Sequence, residues 1–82
     1  MRIIVSQKEK KIEIIFENGK IIDKYTIAKA EEFLGCVDKF LKKYYTVKIS
    51  DFRDVKLEFH NIGLLTERVV KAIMLGLKFS QN

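Results

Sequence analysis

The segment Lys11-Ile12-Glu13-Ile14-Ile15-Phe16-Glu17-Asn18-Gly19-Lys20-Ile21-Ile22-Asp23-Lys24-Tyr25-Thr26-Ile27 decides the architecture. Its first half alternates, with Ile12, Ile14 and Phe16 on one side, Glu13 and Glu17 on the other, and Ile15 as the exception. Period-two alternation marks a strand with one dry and one wet face. Asn18-Gly19 is a strong hairpin signal, because a type I′ turn needs positive φ at both central residues. Lys20 to Ile27 then reads as the return strand, Ile21, Tyr25 and Ile27 facing one way and Lys24 and Thr26 the other. Upstream, Arg2–Ser6 contains the apolar run Ile3-Ile4-Val5, which suits a central strand, and Gln7 to Lys10 reads as a polar loop. Three antiparallel strands in a meander follow.

Downstream the period changes. From Ala28 to Tyr45, at about 100° per residue, Ala30, Phe33, Leu34, Val37, Phe40, Leu41 and Tyr44 share one arc. Glu31, Glu32, Asp38, Lys39, Lys42 and Lys43 occupy the opposite arc, with Gly35 among them. That glycine is either tolerated helical drift or a place where another backbone comes close. Thr46 to Asp54 reads as a linker. Val55 to His60 alternates again, Val55, Leu57 and Phe59 inward, Lys56, Glu58 and His60 outward.

Gly63 to Phe79 is a second helix of different character. Glu67, Lys71 and Lys78 fill only a narrow polar arc. Ile62, Leu65, Val69, Ile73, Gly76 and Leu77 form the expected core stripe, with Val70 and Met74 on one flank and Leu64, Leu75 and Phe79 on the other. An apolar arc of roughly two-thirds of the circumference is too wide for one-sided packing on a sheet, so the first helix or another chain must cover the surplus. Ala72 and Gly76, four residues apart, leave room for close helix approach.

The element order is β-β-β-α-β-α. A strand that follows a crossover helix pairs in parallel with a central strand by a right-handed connection. The expected fold is thus α/β in the two-layer α+β sense: one domain over residues 1–82, a mixed four-stranded sheet, and both helices on one face.

Composition narrows the function classes. The net charge is +5, from 16 Lys and Arg against 11 Asp and Glu, and only Arg2, Arg53 and Arg68 are arginines. Lysines scattered among carboxylates read as a solvated surface before they read as a nucleic-acid footprint. One cysteine and one histidine exclude a disulfide framework and a Cys/His metal cluster. A chain this short has a modest core, which makes oligomerisation the remaining staple. Ile3-Ile4-Val5 is too short for an export signal or a membrane span, so a cytoplasmic protein is expected. Catalysis lacks its parts. Glu13, Asp54 and Glu58 read as solvent partners of lysines, His60 has no nucleophile or orienting group, Cys36 reads as a small core residue, and no phosphate loop is present. No cofactor or metal is expected.

Several strings resemble the TsaB family, tRNA threonylcarbamoyladenosine biosynthesis proteins of the actin/sugar kinase/Hsp70 superfamily with a ribonuclease H-like fold. Lys11-Ile12-Glu13-Ile14 with Asn18-Gly19-Lys20-Ile21-Ile22 is similar to that family's second and third strands. Glu32-Phe33-Leu34 with Val37-Asp38-Lys39-Phe40-Leu41-Lys42-Lys43 resembles its first helix, and Asp51 to Phe59 its fourth strand. Arg68-Val69-Val70-Lys71-Ala72-Ile73-Met74-Leu75-Gly76-Leu77 resembles the helix after a G-P-G-S-F-T-G-L-R motif, Arg68 falling on the motif's Arg. The resemblance covers nearly all of this chain but only the first part of a family member, a truncated half-domain. Val5-Ser6-Gln7 lacks the superfamily's first-strand Asp, and His60-Asn61-Ile62-Gly63-Leu64-Leu65 replaces the glycine-rich junction.

The resemblance implies a non-catalytic scaffold that pairs with itself or with a TsaD-like subunit and meets tRNA only indirectly. The implied interface is Gly35 and Lys39 on the first helix with Val70, Met74 and Leu77 on the second. The alternative is a small RNA- or DNA-binding domain whose sheet turns Lys11, Lys24 and Lys56 toward phosphates.

Overall fold

The alternation of Ile12, Ile14 and Phe16 becomes β2 (Lys11–Asn18), flanked by β1 (Arg2–Lys8) and β3 (Ile21–Ile27). The computed structural model describes residues 1–79, with side chains through Leu77; the Lys78 and Phe79 side chains of the sequence reading lie outside the described part. A short 3-10 turn at Ala30–Glu32 leads into α1 (Phe33–Lys43), and a second 3-10 helix, Ile49–Asp54, leads into β4 (Lys56–His60) and α2 (Leu64–Phe79). The sheet order is β3-β2-β1-β4. The pairs β1–β2 and β2–β3 are antiparallel, and β1–β4 is parallel. Both helices cover one face of this mixed sheet, as the element order implies.

Register sorts the side chains. Val5, Ile14 and Tyr25 form one row with Phe59, all on the covered face. Ile4, Ile15 and Lys24 form a row with Glu58 on the open face. Ile3, Val5, Ile12, Ile14 and Phe16 are buried from the sheet side, and Phe33, Cys36, Val37 and Phe40 from α1. Phe16 lies at the centre of this core. Its ring stacks on Phe40 at 4.6 Å and on Phe33 at 6.3 Å, and meets Tyr25 and Phe52 edge-on at 5.6 and 6.5 Å. Such ring pairs add to the area that they bury.

The structure departs from the sequence reading at three places. The β2–β3 hairpin pairs Asn18 with Ile21, so its two-residue loop is Gly19-Lys20 and not Asn18-Gly19. Positive φ occurs at Gly19 (63°) and not at Lys20, so glycine takes the first central position, as in a II′-type loop. Second, β1 continues to Lys8, which shrinks the expected loop to the turn Glu9-Lys10, with Glu9 at φ 59°. Third, the expected linker carries Phe52, fully buried against Phe16, inside a 3-10 helix. The Asp51 carboxylate accepts the Lys48 N–H at 3.0 Å and holds the start of that helix. Glu32 does the same before α1, accepting from Lys29 N–H at 2.8 Å and Ala28 N–H at 2.9 Å. These two bonds hold its carboxyl below the usual range.

Truncating Phe16 to Ala is expected to cost about 3–5 kcal/mol. That is a large share of the ~4–12 kcal/mol available to a chain of this size, and urea denaturation will read it as a collapse of the transition midpoint. The two hairpins give effects of opposite sign. Gly19→Ala destabilises by about 1–2 kcal/mol through its φ alone, since an added Cβ meets nothing within 4 Å. Glu9→Gly stabilises by up to ~1 kcal/mol, because strain at a non-glycine residue is relieved. Paired thermal melts of the two variants check both signs.

Candidate interaction surface

The junction that launches α2 is short. Asn61 adopts φ 54°, a conformation that asparagine tolerates, and the Glu67 N–H reaches the Gly63 carbonyl at 3.1 Å to close the first helical turn. From there Val70 and Met74 point into the core at 0% and 2% exposure. Ile62, Val69, Ile73 and Leu77 pack partly against the same core. The opposite side is left to solvent: Leu64, Leu65 and Leu75 are 63%, 76% and 55% exposed, and Arg68, Ala72 and Gly76 are exposed among them.

The stripe that seats α2 therefore runs through Val70 and Met74, not through Leu65 and Gly76 as the periodicity implied. Both stripes are apolar, so period alone could not choose. Packing against the two 3-10 segments makes the choice. Val70 and Met74, expected at a partner interface, are core residues in this chain and offer no docking surface. Of the other three interface residues, Gly35 and Lys39 are exposed on α1 and Leu77 is half-buried. The structure brings these three to one groove, also lined by Leu34, Leu41 and Ile49. An added Cβ at Gly35 meets nothing within 4 Å, so no backbone of this chain requires the glycine. The signal that sequence reasoning missed was positional. Leu64, Leu65, Arg68 and Leu75 fall within an arc of about 100° on the far side from Val70 and Met74.

The open sheet face is different. Arg2 bridges Glu58 at 2.8 Å and Glu17 at 3.7 Å, Lys24 meets Glu13 at 3.4 Å, and His60 lies 3.8 Å from Glu58. The hydrogen bond from Arg2 holds the Glu58 carboxyl below the usual range and raises the guanidinium in turn. Half-buried Ile4 and Ile15 lie between these charges, and the strand residues facing this way include no Phe or Tyr. Lys11, Lys24 and Lys56 do not converge. Lys24 is paired with Glu13, Lys11 sits opposite Lys8 beside one hairpin, and Lys56 lies beside Arg2 at the other end.

At the rim of the core, Asp23 accepts a 2.8 Å hydrogen bond from the Tyr25 hydroxyl and a 3.3 Å contact from the Lys43 ammonium. Burial pushes the Asp23 carboxyl up. Hydrogen bonds from Tyr25, Lys43 and the Lys24 N–H outweigh it and hold the group below the usual carboxylate range. Burial, then the bond to Asp23, pushes the Tyr25 phenol well up. Cys36 is buried in the core, and burial pushes its thiol up, away from the reactive thiolate.

No protein-family model, curated protein or solved structure matches the chain. Among the described residues, no group of three or more His, Cys, Asp or Glu side chains could hold a metal ion. No helix among them is long and apolar enough to cross a membrane.

The carboxylates set the acid response. Asp23, Glu32 and Glu58 all have folded values below their ordinary ones. Their contribution is present above the ordinary carboxylate range, near pH 4, and is lost as pH falls through the depressed folded values. The melting temperature is expected to hold from about pH 7 to pH 5 and to fall below about pH 4. Asp23→Asn lowers the plateau and flattens the fall, as thermal melts across that range will show.

Proposed function

We propose that this chain is a non-catalytic protein–protein interaction module that docks its partner through the helical layer. One observation carries the reading: α2 seals the core with one side and exposes Leu64, Leu65 and Leu75 along the other. An apolar strip left in water beside small residues is costly to keep, and such strips mark interaction sites. The neighbouring small residues Ala72 and Gly76 permit close approach of a second backbone. The TsaB resemblance names the partner in kind, a second copy or a TsaD-like subunit, with tRNA modification as the pathway and tRNA reached through that partner.

The charge pattern speaks against the nucleic-acid alternative. A phosphate-binding face needs unpaired cations and stacking rings, whereas the open sheet interleaves Glu13, Glu17 and Glu58 with Arg2 and Lys24.

Light scattering at tens of micromolar, with a titration against a TsaD-like subunit, tests the proposal. A complex is expected in at least one of the two experiments. Leu65→Glu with Leu75→Glu should abolish it while leaving circular dichroism and melting temperature unchanged, because both side chains already face water. A strictly monomeric chain that also ignores the subunit would overturn the reading.

A further inference from the structure

We infer that the outward face of α2 takes an amphipathic helix of a different chain, one that presents a carboxylate to Arg68 from the middle of its apolar stripe. This rests on the docking reading above and adds the chemistry of the partner.

The spacing points to a helix. Leu65, Arg68, Ala72 and Leu75 follow one another at three, four and three residues, the rhythm of a coiled-coil seam. All four are exposed. Small Ala72 sits between Arg68 and Leu75, and the ten steps from Leu65 to Leu75 rise about 15 Å along the axis. A single partner helix of about three turns fills that length.

The charge points to the kind of helix. Glu67 and Lys71 satisfy each other at 3.4 Å, and Lys71 also lies over the Phe59 ring at 5.6 Å. The Arg68 side chain makes no hydrogen bond or ion pair with any of the described residues. Arg2 on the open sheet, by contrast, is answered by Glu17 and Glu58. Covering Arg68 with purely apolar surface strips water from a guanidinium and leaves it without an anion, which is strongly unfavourable.

A second copy brings the wrong sign. If two seams pair antiparallel about a two-fold axis, Leu65 faces Leu75 of the other copy and Arg68 faces Ala72, but the two arginines lie only about 6 Å apart along the axis. Parallel pairing sets them directly opposite. A carboxylate in the partner's stripe instead forms a charge-assisted pair with the fork of Arg68 and keeps both leucine contacts.

Fluorescence anisotropy with two labelled synthetic helices tests this. Both carry the same leucine stripe over about four turns and differ only in its central residue, Glu in one and Lys in the other. The Glu peptide is expected to bind at least ~10-fold more tightly, with the preference shrinking as salt rises, and Arg68→Glu should reverse the order. Equal affinities, or an order that survives Arg68→Glu, overturn the carboxylate assignment. If both peptides still bind and Leu65→Glu releases them, the docking reading stands without it. If neither peptide binds the folded chain, the helix assignment falls, and the light-scattering and subunit titrations decide the docking reading separately.

Discussion

Four aromatic rings surround that of Phe16, drawn from β3, α1 and the connection between α1 and β4. Phe33 and Phe40 lie seven residues apart, two turns of α1, so both reach the same ring from one helical face. Tyr25 approaches from the neighbouring strand and Phe52 from the connection between α1 and β4. That last contact explains why a polar stretch curls into a 3-10 helix: Phe52 has to reach the core from a segment with no other fully buried side chain. The placement of α2 follows in turn, since Val70 and Met74 close the cluster beside the same turn.

Where one period has one interpretation, the sequence was legible. The strands β2, β3 and β4 alternate, and α1 divides its apolar and charged residues cleanly, so the meander, the crossover helix and the parallel fourth strand could be read from pattern alone. Phe52 was not legible, because a single aromatic in a polar segment has no period. The hairpin was recognised from Asn18-Gly19 but slipped by one residue, since the glycine serves the first loop position and Asn18 stays in the strand. The orientation of α2 was legible only in part: Ile62, Val69, Ile73 and Leu77 of the expected stripe do pack against the core, whereas Leu65 and Gly76 do not. It offers two apolar stripes, and only tertiary contact tells which faces inward. That helix two carries more apolar surface than a sheet can cover was plain; that Val70 and Met74 would be the covered part was not.

The two layers meet solvent in different ways. On the open sheet, charge answers charge across β3, β2, β1 and β4, with Ile4 and Ile15 half-buried between the charges and Ile22 exposed on β3. Across the molecule, α2 shows leucines and one unanswered arginine. On the proposed reading the helical side is the one that meets a partner.

The parallel pairing of β1 with β4 also governs how the chain assembles. Arg2 lies opposite Lys56 and Ser6 opposite His60, while the Lys56 N–H reaches back to the Met1 carbonyl at 2.9 Å. The two hairpins are local and can close within microseconds, but this last edge joins residues more than fifty positions apart, and such distant contacts are slow to form. During synthesis β1 therefore emerges before β4 and waits, one edge unpaired, until β4 has left the ribosome. Its middle is Ile3-Ile4-Val5, the most apolar run among the strands, so the vulnerable interval in this protein's life comes before β4 is made.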